Sequence, residues 1–491
     1  MSSDVTRTPD IVSVTSRFRV EPLTQAECGA LQGATLRLLD EVGVHVPSVR
    51  ALDVFAGHEG ARADAATGIV KLSPDLVRAA LARAPRTFVL AGREERFDLL
   101  LDGTRTYVAT DGVGTVVIDD ATGAQRPSRK ADVERMARIV DALPLVSFYW
   151  PLVSAQDHGL TAPLHECHAG LTNTLKHVRG GTTVRPPLAR YIVEMAVVVG
   201  GGEAEPRRRP PICANICTIS PLAHDRDGLE CALTYAEAGI PVSFMAMPTM
   251  GSSAPASPLG ALVQGDAEVV SGMVLIQLAF PGAPVFHSVL VSQMEPHTGG
   301  YLSEVPLPIE GMQVQLAHAW GVPSLGGGSM SSDAPGRGWG AGRQAGFGSA
   351  MVPLYGGEVC GYLGLAEGST VLSAEQVVLD HEACRYAIET LRGTTLDEGE
   401  LATALDDVRA VGPRGHFLGR RLTRERSRRT WVPFWLRREP GMGAAEGPRE
   451  RGRRELTRIE ATHRPELLPA DAARELARVL AAADREAERL T

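Results

Sequence analysis

The chain has 491 residues, 44% of them hydrophobic and 22% charged, with a formal net charge of -8. This is the composition of an ordinary globular chain with ample material for a core, and so mild a charge excludes a nucleic-acid surface as the main function. Seven scattered cysteines do not make a secreted disulfide framework, the polar start has no signal-peptide pattern, and the apolar runs break before the roughly 18 residues of a membrane span. A cytoplasmic protein is expected, with neither membrane nor nucleic acid among its partners.

In chain order, Thr24 followed by Glu27 reads as a capping box, opening a helix that Gly43 stops. Ser73-Pro74-Asp75 opens another, with a cap, a first-turn proline and an acid suited to the helix dipole. Thr87 to Leu90 reads as a strand. From Tyr107 the rhythm changes to short apolar runs alternating with longer helical patterns, which indicates βα units and a parallel sheet. The predicted strands are Tyr107 to Ala109, Val146 to Trp150, Val178 to Thr183, Ile212 to Ile216, Val242 to Ala246, Val285 to Val289, Val322 to Leu325 and Val359 to Leu363. Each is followed by a helical pattern, including Ile309 to Trp320, Gln344 to Tyr355 and Ala374 to Leu391. Eight such units predict an α/β fold, a (β/α)8 TIM barrel over residues 101–395. Residues 1–100 form an N-terminal helical cap with a strand segment. Residues 396–491 form a C-terminal helical extension, with Leu396 to Val408 and Gly412 to Leu418 helical, Gly441 to Gly452 a linker, and a last helix from Pro469 to Leu490. The basic run Arg420 to Arg438, interleaved with Trp431, Phe434 and Trp435, reads as a solvated face packed through its aromatics rather than an RNA surface.

Barrels of this kind bind ligands at the C-terminal ends of their strands. The loops there are long and rich in Gly, Ser, Met and aromatic residues, so the mouth is expected to be roomy, weakly charged and soft. Its centre is the stretch from Gly326-Gly327-Gly328-Ser329 through Asp333 and Trp339 to Phe347, where bare amides let a ligand approach the backbone. Asn215, near a predicted strand end, is a candidate substrate contact because a buried amide must find partners. His165-Glu166-Cys167-His168 has a zinc-compatible spacing but reads better as helix surface, and Cys213 and Cys217 read as buried hydrophobes, so no metal site is expected. No GxGxxG follows the first strand, and neither a Walker A nor a Gly-x-Ser-x-Gly elbow is placed to act. Aromatic residues near strand ends, among them Trp150, Tyr301, Trp339, Phe347 and Tyr362, suit a cage for a cation without hydrogens to donate.

A longer ordered set of residues supports a resemblance. Met247-Pro248-Thr249-Met250-Gly251-Ser252-Ser253, Gln277-Leu278, Pro281-Gly282-Ala283-Pro284-Val285, Gly326-Gly327-Gly328, Ser332-Asp333, Gln344-Ala345-Gly346-Phe347, Val378-Leu379-Asp380, Gly412-Pro413, Gly415-His416-Phe417-Leu418 and Trp431 resemble, in the same order, the trimethylamine methyltransferase family of corrinoid-dependent enzymes. The resemblance implies a (β/α)8 barrel that moves a methyl group from a quaternary, betaine-like amine to the Co(I) corrinoid of a partner protein. The chain itself would bind no cofactor, because the methylcobalamin or corrinoid stays on the partner. No pyrrolysine is written here, which places the chain with the non-pyrrolysine branch. The matched positions imply Asp333 and Gln344 as catalytic residues. Arg337 or Arg343, with the amides of Gly327, Gly328 and Ser329, is expected to bind a betaine carboxylate, while Trp339, Phe347 and Tyr362 face the methyls. The chain departs from the family pattern at Ala334-Pro335, at Tyr362 and at Leu422. The alternative function is a diverged barrel that binds a small cation without methyl transfer. Self-association is expected from the aromatic helices near the C-terminus.

Overall fold

The computed structural model describes residues 7–120, 122–305, 308–326, 333–334, 338–393, 395–428, 430–436 and 446–490, with the side chain of Tyr362 outside this set. Gly327, Gly328, Ser329 and Arg337 lie outside the described residues. The barrel strands are β1 (Tyr107–Thr110), β2 (Val146–Tyr149), β3 (His177–Gly181), β4 (Ile212–Ile219), β5 (Val242–Ala246) and β6 (Val285–Val289). A seventh, β7, consists of residues 324–325 alone, and β8 is Val359–Leu363. All pair in parallel with their neighbours, and single bridges from His287 to Ser324 and from Leu325 to Val359 close the ring. The predicted Val322 to Leu325 strand is this short because Pro323 has no N–H to give. Its carbonyl accepts from His287 N at 3.0 Å, and the ladder then passes to Leu325 and Gly326. Helices cover the outer face and side chains fill the inner one, which is why the strands read as continuous apolar runs.

The N-terminal ends of the strands are plugged. An antiparallel hairpin, Phe88–Leu90 with Leu99–Leu101, inserts Leu90, Leu99 and Leu101 against Tyr107, Phe148 and Phe286 of the barrel interior. The hairpin is held by Ala91 N donating to Pro210 O at 2.9 Å and by His177 Nδ1 bonded to Ala91 O at 2.9 Å. The first helix of the chain, Gln25–Glu41, starts on the predicted capping box, and Gly43 ends its turn with φ +83°. It packs on the Pro258–Ala279 helix, where buried Asp266 accepts from Thr35 Oγ1 (2.6 Å) and Trp320 Nε1 (3.0 Å) and pairs with His287 Nε2 of β6 (2.8 Å). Pro258–Ala279 is long and apolar enough to cross a bilayer, yet most of it is buried between β5, β6 and the N-terminal helices.

At the other end of the chain, Pro448–Thr462 begins inside the predicted linker, and Ala470–Ala487 forms the last helix. Both dock on the barrel. His463 Nε2 meets the buried carboxylate of Asp141 at 2.8 Å, and Asp484 meets His165 Nε2 at 3.0 Å. The expected helix over Gly412 to Leu418 is instead a turn, because Gly412 and Arg414 take left-handed backbone at φ +68° and +70°.

Candidate active site

The C-terminal strand ends converge on a cavity of about 620 Å³ that is open to solvent. Trp150, just beyond β2, is fixed in its wall by Thr110 Oγ1, which donates to Trp150 O at 2.7 Å and accepts from Trp150 N at 2.8 Å. Behind the indole lies Arg179 of β3, its guanidinium carbon 3.4 Å from the ring centroid. Tyr301, Phe347 and Tyr355 supply further aromatic wall, and Met247, Val291 and Met351 supply apolar wall. Deeper in the barrel, Asn215 Nδ2 lies 3.8 Å from Cys217 Sγ and 3.9 Å from Met245 Sδ. Asn215 Oδ1 and the hydroxyls of Ser243 and Ser288 are buried there without a hydrogen-bond partner among the described residues.

The rim is acidic, which corrects the expectation of a weakly charged mouth. Asp111, Glu304 and Glu310 all contribute to the wall, and the basic residue beside them, Arg343, is ion-paired with Glu304. Asp111 lies in an expected mouth loop, but the other two acids were hidden, Glu310 in the first turn of the Ile309–Trp320 helix and Glu304 in a segment outside the expected loops. Their field is felt by neighbouring groups. Burial, then the nearby carboxylates of Asp333 and Asp111, pushes the Tyr301 phenol up, and burial followed by Glu310 does the same to Tyr355. Asp111 stitches the ring at its closure, accepting from Gly112 N at 2.8 Å and from Ser369 Oγ of the loop after β8 at 2.7 Å. That loop is strained. Glu367, Gly368 and Ser369 are all left-handed, at φ +54°, +66° and +62°, costing about 1–2 kcal/mol for each non-glycine. A Cβ on Gly368 would stand 3.7 Å from Asp333 Oδ1, so the turn brings the β8 loop against the segment after β7.

Asp333 and Gln344 are brought together, with Asp333 N donating to Gln344 Oε1 at 3.3 Å. Both carboxylate oxygens of Asp333 are engaged, accepting from Ser303 Oγ at 2.8 Å and Glu304 N at 2.7 Å. Asp333 thus ties the 301–304 segment into the wall, while Gln344 Nε2 is buried without a hydrogen-bond partner among the described residues. Arg343, expected to bind a ligand carboxylate, already holds Glu304. Trp339 is not in the wall. It is the first residue of the Trp339–Tyr355 helix and 82% exposed, the expected loop having already become helix there. Phe347 is in the wall, Asn215 lies beneath it, and the side chain of Tyr362 is outside the described residues.

The profile of the Trimethylamine methyltransferase (MTTB) family matches residues 3–475. The chain belongs to the trimethylamine methyltransferase family. It is similar to trimethylamine methyltransferase MttB of Desulfitobacterium hafniense, 30% identical over 464 residues and covering 92% of each chain. It is 29% identical over 411 residues to MttB of Methanosarcina barkeri, covering 82% of each. Glycine betaine methyltransferase of Desulfitobacterium hafniense strain Y51 is 28% identical over 420 residues, covering 83% of this chain and 84% of that one. The crystal structure of Methanosarcina barkeri monomethylamine methyltransferase MtmB aligns with TM-score 0.46 and 11% identity over 97% of this chain and 90% of that chain. The protein is thus a methyltransferase. Of the positions at which it resembles this family, Gln344 and Phe347 reach the cavity and Asp333 braces its wall, whereas Gly412 to Leu418 lies in an exposed turn. Four wall residues follow a helical spacing legible in the sequence, since Gln344, Phe347, Met351 and Tyr355 share one helix face. Following that periodicity past Phe347 would have found Met351 and Tyr355. Arg179 had no such signal, being one polar residue inside a strand.

Proposed function

We propose that this methyltransferase takes a methyl group from a quaternary amine and passes it to a corrinoid carried on a separate protein. The observation that carries the reading is the mouth itself, where π-faces of Trp150, Tyr301, Phe347 and Tyr355 share one wall with the carboxylates of Asp111, Glu304 and Glu310. A quaternary nitrogen has neither a lone pair nor an N–H, so only quadrupoles and negative charge can hold it. The cavity suits a small amine but not a corrin ring, which would rest on the open rim and supply there the nucleophile that accepts the methyl. Within the chain, the aromatic wall positions the cation and the acids balance its charge. Asp333 keeps the wall in place, so that one methyl stands toward the opening. The departing tertiary amine is neutral and needs no proton, which fits a site whose half-buried acid, Asp333, is already occupied by donors. Among the relatives, glycine betaine methyltransferase is named for a quaternary amine, whereas trimethylamine is a tertiary one, and the absence of pyrrolysine from this sequence favours the former class.

The test is to mix the protein with a reduced corrinoid protein and a panel of quaternary amines, and to follow the loss of the Co(I) absorbance. At least one amine is expected to deplete it. A protein that binds such cations by calorimetry while none depletes Co(I) would be a diverged binder, and the transfer reading would fall.

A further inference from the structure

Residues 395–428 leave the barrel as an arm. It contains two helices, Glu398–Val411 and Arg421–Ser427, joined by ion pairs of Asp407 with Arg420 and of Glu400 with Arg426. Its base is fixed where Trp431 packs on Tyr386 and Arg385 and where Phe434 N donates to Glu382 Oε1 at 2.7 Å. Beyond the base almost nothing is covered. Asp407 is the buried residue of the first helix, and the second has none. Yet the first helix carries an apolar stripe, Leu401, Leu405 and Val408, at 48%, 46% and 53% exposure, with Phe417 and Leu418 exposed beside it. Three apolar residues spaced four and three apart share one helix face, the pattern of a side that packs on something.

We infer that this stripe packs on the same stripe of a second copy, the two Glu398–Val411 helices crossing antiparallel about a two-fold axis at Leu405. The stripe is near-symmetric about Leu405, so Leu401 of each copy would face Val408 of the other, as an isologous contact requires. The charges fit the same arrangement. Asp397 and Glu398 stand at the amino end of the helix and Arg414 just past its carboxyl end, and neither Glu398 nor Arg414 forms an ion pair among the described residues. Antiparallel crossing brings the acidic end of each helix beside the basic end of the other and sets the helix dipoles in opposition. A single-sign partner would satisfy only one end.

Sedimentation of the full chain at micromolar concentration is expected to give a dimer or a multiple of it, with Leu405→Glu falling to half the wild-type mass or less. The arm buries little of its own, so the variant should keep the wild-type melting temperature. Leu405→Cys, whose sulfurs would meet at the axis, is expected to give a covalent dimer under mild oxidation. Background should be low, because six of the seven native cysteines are buried and Cys217 is only partly open. A monomeric wild type, an unchanged mass for Leu405→Glu, or failure of Leu405→Cys to cross-link would each overturn the inference. So would an arm that Leu405→Glu disables only for binding a corrinoid protein.

Discussion

At the N-terminal ends of its strands the barrel is closed by the Phe88–Leu101 hairpin, and the buried carboxylate there is answered, although His177 Nε2 has no hydrogen-bond partner among the described residues. Asp141 alone accepts from Thr8, Thr174, Leu175 N and His463 at 2.5–2.8 Å. At the C-terminal ends the same strands open onto a cavity where acids crowd the rim and Asn215 Oδ1, Ser243 and Ser288 are left without partners among the described residues. The loop there carries left-handed non-glycine backbone that the floor does not. The difference separates what the chain spends on folding from what it spends on binding.

Acid should break the floor first. Burial pushes His177 down to about 4, and burial with Lys176 and Arg385 nearby pushes His381 down to about 3. The unfolded chain takes up these protons near pH ~6.5 while the folded chain refuses them, so stability falls as pH drops from about 7 toward 4. Burial likewise pushes Lys176 down to about 7, so stability should rise again between about pH 7 and 10. Melting temperatures across this range check both slopes, and a flat profile would mean that water reaches the floor. Asp266→Ala should come next in size. It strands His287 and Trp320 in the core and should cost about 3–5 kcal/mol in urea unfolding, while amine affinity of the folded protein stays near wild type.

The floor was the more legible end in the sequence. Strands β5, β6 and β8 fall on their predicted limits, and Thr24, Gly43 and Ser73 act as the local chemistry says they must. Local rules sufficed because each of these signals involves neighbours in sequence. The Val49–Ala56 helix went unseen because its Ser48 cap is followed by neither the proline nor the first-turn acid that marks the equally short Pro74–Leu81, and Pro448–Thr462 because the glycines around its start and its charges read as linker. At the mouth, Gln344 and Phe347 were visible as motif residues, but the wall is assembled from segments far apart in the chain. No spacing rule links Trp150 to Glu310. The pairing of Arg343 with Glu304 cancels the charge on which the carboxylate expectation rested, and only three-dimensional proximity reveals that.

Smaller effects sharpen the mouth side of the comparison. Glu310→Gln removes one rim charge without changing shape, and should weaken quaternary-amine binding roughly tenfold, as expected for a partly screened ion contact. Its melting temperature should hold, in contrast to Asp266→Ala. Calorimetric titration with a quaternary amine and with a neutral isostere tells whether the loss is electrostatic, since only the cation should respond.

The smallest expected change is the most discriminating. Trp339 and Phe347 lie on the same helix and both look like cage residues in sequence, yet Trp339 is 82% exposed at the helix start while Phe347, 59% exposed, faces the cavity. Phe347→Ala should therefore weaken amine binding by about 0.5–1 kcal/mol, the worth of one partly exposed π-face. Trp339→Ala should change neither affinity nor stability by more than about 0.5 kcal/mol. Equal losses from the two substitutions would mean that the ligand draws the start of this helix inward, and the binding wall would then have to include the turn before it.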